Sequence, residues 1–173
     1  MAKANVAPVM DPMAGAAAFD EDIPRVLKVL DAESLDALGW RRPNKLSLIV
    51  PLKGVLNGVT DDYLLRLGFQ AYRTWPPSAQ FVNPQTLTYN YPQDQHFVPR
   101  LASPECRTHT GYERPGHAKI QLVCCSATLE FYEVLHSVEA HHVWRETDSF
   151  LTTIMAIKRA FGDFYEGRFP AHG

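Results

Sequence analysis

The stretch "SPECRTHTGYERPGH" (103–117) brings Cys106, His109, Glu113 and His117 close together in the chain. Two chemistries use such a set. A nucleophilic cysteine acts as its thiolate, so it should sit partly exposed in polar surroundings. The Ser, Pro, Glu, Arg, Thr and His neighbours of Cys106 meet that description, and Arg107 and His109 could favour the thiolate electrostatically. Zinc is the other use, since Cys, His and Glu are all competent ligands. Cys106 and His109 have a short loop spacing and His117 follows, but no second Cys-x-x-Cys or His-x₃-His knuckle fixes a geometry. A free surface cysteine with neither role is the plain alternative. The other two cysteines, Cys124 and Cys125, lie inside an apolar pattern, where a thiol behaves as a small buried hydrophobe.

A further set of ligating residues falls in "HSVEAHH" (136–142). On a helical reading Glu139 and His142 share a face and could offer two ligands. His142 packed beside Trp144, with His141 and Glu139 in water, explains the cluster without a metal. Histidines near a helix end also complement its dipole.

These residues have to be positioned by the elements around them. From Asp20 to Leu38 the pattern is helical, with Ile23, Val26, Leu27 and Leu30 on one face and Pro24 tolerated in a first turn. Residues 31–38 continue it after a kink or form a second short helix. "NKLSLIVPL" (44–52) switches to strand-type residues, with Pro51 placing it at an edge or an end. "GVLNGVT" supplies the turn, and "DDYLLRLGF" (61–69) reads as the paired strand. The double proline of "QAYRTWPPSAQFVNP" (70–84) interrupts pairing before "SAQFV" resumes as a third strand. From 84 to about 117 no periodicity survives and prolines recur, which predicts a long functional loop. Ile120, Val123, Cys124, Ala127, Phe131, Val134, Leu135 and Val138 predict a helix, with a strand over 120–126 as the competing reading. A last helix is expected over about 147–161, with Phe150, Leu151, Ile154, Ile157 and Phe161 inward. Trp75, Trp144 and Tyr72 are expected in the core.

The 173 residues suit one domain, read as a mobile lead-in over 1–19 and a single domain over 20–173. A net charge of −2 with scattered Lys and Arg provides no footprint for nucleic acid or an anionic membrane. There is no apolar run of bilayer length, and the first residues lack the Leu-rich centre of a secretory signal. Three cysteines, two of them adjacent, make no disulfide framework, so a reducing cytoplasm is expected.

"YLLRLGFQAYRTWPPSAQFVNP" (63–84) resembles the strand–Pro-Pro–strand element of the ubiquitin-conjugating enzyme family. "HVWRETDSFLTTIMAIKRAF" (142–161) resembles the Trp-led helix that follows that family's active site. The resemblance implies an α+β fold: an N-terminal helix, an antiparallel β-meander, a long active-site loop and C-terminal helices. The family's His-Pro-Asn signature is absent, and the interval from Cys106 to Trp144 is longer than in eukaryotic members. Both departures point to a divergent bacterial branch. The resemblance implies a transferase that carries a ubiquitin-like protein as an acyl intermediate on Cys106 and receives it from an activating-enzyme-like partner. Asn90 would then stand in for the oxyanion-binding Asn, although backbone amides near Gly111 would serve equally and a turn-forming role is the simpler explanation of Asn90. The first helix, with Phe19, Arg25 and Lys28 on or near it, would face the activating enzyme, while a solvated helix face explains the two charges just as well. No cofactor is required by that chemistry. One related bacterial family is described by a Cys-Glu-His-His pattern and is thought to bind metal. Here Cys106, Glu113, His117 and one of His136, His141 or His142 could supply that set and hold zinc. The alternative function is accordingly a non-catalytic, metal-clamped interaction module of the same fold.

Overall fold

In "VTDDYLLRLG" every second residue from Tyr63 is apolar and buried, and this alternation puts one strand face against a core. The computed structural model describes residues 7–134 and 143–173. It is a mixed α+β architecture with an N-terminal helix, a four-stranded antiparallel sheet and a C-terminal helix.

Helix α1 (Pro12–Val29) begins with Asp11 as its N-cap, whose carboxylate accepts the Ala14 N–H at 3.0 Å, and with proline in the first turn. It therefore starts within the stretch expected to be a mobile lead-in. The cap and the run of alanines are sufficient local reasons for an early start. Gly15, Phe19, Asp22 and Val26 form its buried face. Residues 31–38 do not extend α1; only a 3-10 turn forms, at Asp36–Leu38.

Strands β1 (Arg41–Asn44), β2 (Ser47–Leu56), β3 (Val59–Gly68) and β4 (Ser78–Val82) pair in sequence order. Asn57 and Gly58, both at positive φ, make the β2–β3 turn. Pro51 lies past the last β1 partner, Arg41↔Ile49, where the outer side of β2 is an edge that tolerates a missing N–H. Pro76 and Pro77 stand between β3 and β4, as the sequence suggests.

The long loop expected over 84–117 is partly strand. β5 (Pro99–Leu101) pairs with β8 (Tyr165–Arg168) near the end of the chain. β6 (Cys106–Tyr112) pairs with β7 (Ile120–Cys125) as a hairpin. The competing strand reading of 120–126 is thus the one realised. The helix that follows, α2, covers only Leu129–Glu133, and the rest of the expected helix lies outside the described residues. Helix α3 (Phe150–Asp163) presents Phe150, Ile154, Ile157 and Phe161 inward as anticipated.

One core unites these parts. Phe19 of α1 stacks on Phe69 with ring centroids 3.7 Å apart, and Phe150 of α3 packs edge-on against both. Tyr72, Trp75 and Trp144 are buried as expected. The β6–β7 hairpin joins the outer edge of β4 through Gln121. Its side-chain amide accepts the Phe81 N–H at 2.6 Å and donates to the Phe81 carbonyl at 2.8 Å. A side chain thereby replaces the next strand of the ladder, and a sheet edge that would otherwise be open is satisfied.

Candidate functional site

Cys106 is not on a loop. It opens β6 with 1% of its surface exposed and stands directly opposite Cys125 of β7. Residues opposite one another in an antiparallel pair point to the same face, so both sulfurs lie on one side of the hairpin. Cys124 and Arg107 form the neighbouring pair on the other face, where Cys124 packs with Leu122 and Val134.

The three thiols differ in their electrostatics. Cys125 has its pKa lowered, first because the Cys106 thiol donates toward its sulfur; burial and Glu105 oppose this, while the Ala127 backbone and the Arg159 guanidinium add to it. The same interaction holds the Cys106 proton in place, and burial reinforces it, so the Cys106 pKa lies well above that of an ordinary cysteine. Burial pushes Cys124 up to about 11. Among the three, Cys125 alone has its pKa lowered.

Cys125 also borders a cleft of about 340 Å³ between the end of β7, the Ser103–Glu105 turn and α3. Ser126, Ala127, Thr152, Met155, Ala156 and Arg159 are among its walls. Met155 and Phe164 leave apolar surface exposed at this cleft, and Arg159 reaches Glu105 at 3.8 Å. The turn below the sulfur is firmly held. The Cys125 carbonyl accepts the Thr128 N–H at 2.9 Å and the Thr128 hydroxyl at 2.8 Å. The Thr153 hydroxyl of α3 donates to the Ala127 carbonyl at 2.7 Å, and Tyr132 donates to the Ser126 carbonyl at 2.8 Å.

The other residues singled out in the sequence are not gathered here. His109 is three positions from Cys106 on the same strand, so it projects from the opposite face; its ring lies 6.2 Å from that of Tyr112. Arg107 acts on Cys124, not on Cys106. Asn90 organises the proline-rich segment: its backbone N–H and side-chain amide both donate to one carboxylate oxygen of buried Asp94, at 2.7 and 3.2 Å. Asn83 donates to the other oxygen at 2.9 Å.

The candidate ligand set is split along the hairpin. Cys106 is at its base, whereas Glu113 and His117 are at its tip, on the order of 20 Å away along extended chain. Glu113 instead pairs with Lys119 at 2.6 Å. His142, with His136 and His141, lies outside the described residues. Among the described residues no three His, Cys, Asp or Glu side chains stand together as a metal site. On α1, Phe19 is wholly buried and cannot face a partner, while Arg25 bonds Asp22 at 2.7 Å.

Cys124 and Cys125 are buried, as the apolar pattern around them predicts, but the sequence does not reveal that Cys106 pairs with Cys125. Its apolar neighbours read as a buried helix, and only the strand reading separates Cys124 and Cys125 onto opposite faces. No described helix is long and apolar enough to cross a membrane. Comparison with protein-family models, curated proteins and solved structures finds no match to this chain.

Proposed function

We propose that this chain is a ubiquitin-conjugating-enzyme-like transferase that carries the C-terminal carboxyl of a ubiquitin-like protein on Cys125. The observation that carries the reading is the Cys125 thiol, lowered in pKa and bordering a cleft at which it keeps 3% of its surface exposed. The order of α1, the β1–β4 meander and the Pro76-Pro77 link supports the family resemblance at the level of architecture. Fold alone does not assign chemistry.

In the reaction, the Cys125 thiolate attacks the thioester carbonyl presented by an activating-enzyme-like partner. The tetrahedral oxyanion collapses and expels that partner's thiolate, leaving the acyl group on Cys125. An acceptor amine then attacks the thioester carbonyl, the amine loses a proton to water, and Cys125 leaves as thiolate, so that an amide bond replaces the thioester. Cys106 supports both passages by donating to the sulfur while it is anionic. Ser103, Ser126 and Thr152 are among the residues lining the cleft and supply the hydroxyls for the oxyanion in this reading. The exposed Met155 and Phe164 beside the cleft provide apolar surface for the carried protein.

The test mixes the chain with its activating enzyme, the ubiquitin-like protein and ATP, followed by a non-reducing gel. A thiol-sensitive adduct is expected in the native chain and in Cys124→Ala, and none in Cys125→Ala. An adduct that persists in Cys125→Ala and disappears in Cys106→Ala would return the nucleophile to β6. Absence of any adduct with the active partners would overturn the transferase reading.

A further inference from the structure

We propose that Cys106 and Cys125 form a peroxide-responsive pair that closes a disulfide across the β6–β7 hairpin. The inference rests on the placement of the two thiols and does not depend on the transfer chemistry.

Register makes the bond geometrically accessible. Cys106 and Cys125 are direct partners in an antiparallel ladder. Such partners have Cα atoms about 4.5–5.5 Å apart, whichever of the two ladder positions they occupy. A disulfide requires roughly 4.4–6.8 Å. The backbone at both residues is anchored: Cys106 N–H donates to the Ser103 carbonyl at 3.3 Å, and Cys125 is fixed by Thr128. Closure therefore asks for rotation of two small side chains and no movement of a strand.

Access and reactivity are divided between the two sulfurs. Cys125 borders the α3 cleft, which is wide enough for a molecule the size of hydrogen peroxide. Both residues are buried, Cys125 with 3% and Cys106 with 1% of its surface exposed, but only Cys125 is among the walls of the cleft, and Cys106 interacts with it from behind. Cys124 faces a separate apolar cluster and cannot compete. This is the arrangement of an attacking thiol with a resolving thiol beside it.

The steps balance with peroxide as the named oxidant. The Cys125 thiolate attacks one peroxide oxygen, the O–O bond breaks, and hydroxide leaves and takes up a proton, giving Cys125 sulfenic acid and water. The Cys106 sulfur then attacks the sulfenyl sulfur. The S–O bond breaks, the Cys106 proton and the departing hydroxyl form a second water, and the disulfide remains. Two thiols lose two electrons, and one peroxide gains them. In the oxidised chain Cys125 has no free sulfur.

The experiment treats the reduced full-length chain with hydrogen peroxide, then alkylates it under denaturing conditions and measures its mass. The expected product has lost two hydrogen atoms, alkylates at Cys124 alone, maps as a Cys106–Cys125 linked peptide and is restored by dithiothreitol. Cys106→Ser should stop at a Cys125 sulfenic acid that dimedone traps, whereas Cys125→Ser should yield no intrachain disulfide. A bridge that includes Cys124, oxidation of Cys125 to sulfinate while Cys106 still alkylates, or three free thiols after a control dithiol has fully oxidised would each overturn the proposal.

Discussion

At the scale of single residues, two buried polar groups carry measurable consequences. The Cys106 thiol donates toward Cys125, and that donation is the largest influence lowering the Cys125 pKa. Replacing it by Cys106→Ala should raise the pH midpoint of Cys125 alkylation by iodoacetamide, read by mass spectrometry at each pH. An unchanged midpoint would mean that Arg159 and the Ala127 amide set the acidity. Tyr72 is the second case. Its hydroxyl donates to Asp22 and accepts the Phe150 N–H at 3.0 Å, so one oxygen links α1 to the start of α3. Tyr72→Phe removes that oxygen and leaves a buried helix N–H without its acceptor, which costs about 1–3 kcal/mol. Urea unfolding should report the loss as a lower midpoint with an unchanged slope.

At the scale of elements, α2 docks on the edge of β4 through one acid. Both carboxylate oxygens of Glu130 lie 3.1 Å from the Ala79 N–H, and burial pushes its pKa up to about 8. The unfolded chain releases this proton near the ordinary glutamate value of 4.5, whereas the folded chain keeps it to about 8. The folded state therefore binds the extra proton between those values. The contribution is fully present below the unfolded pKa and is lost as pH rises toward 8. Thermal unfolding of the native chain should accordingly show a falling midpoint over this interval. Glu130→Gln cannot titrate and should flatten that part of the profile. A profile equally steep in the variant would assign the dependence to other groups.

At the scale of the whole molecule, the close approach of α1 to the end of the sheet depends on a missing side chain. A Cβ on Gly15 would lie 1.9 Å from the Phe69 carbonyl oxygen, a backbone atom that cannot rotate aside. The Asp11 N–H donates to the Gln70 carbonyl at 2.7 Å close by, so the helix cannot simply tilt away at this end. Gly15→Ala should destabilise the fold by about 1–3 kcal/mol, the usual cost of overpacking, although alanine is the better helix former. The midpoint of chemical unfolding measures this. A stabilised variant would mean that α1 can withdraw from Phe69 without loss.

The parts of this protein legible in its sequence are those whose cause is local. Alternation in β3, the Asn57-Gly58 turn, the proline pair before β4 and the inward face of α3 all follow from spacing that neighbouring residues impose on one another. The apolar residues of "IQLVCC" satisfy a helical period as well as a strand, and only pairing with β6 decides between them. The same pairing decides the site. Whether Cys106 meets His109, Glu113 or Cys125 depends on the register of a hairpin whose turn spans the Glu113–Lys119 contact, and a shift of one residue would turn every side chain on a strand to the other face. Burial of Cys106 and the cleft beside Cys125 depend on α3 closing over that hairpin. These are contacts between distant residues, and no residue type at positions 103–117 encodes them by itself.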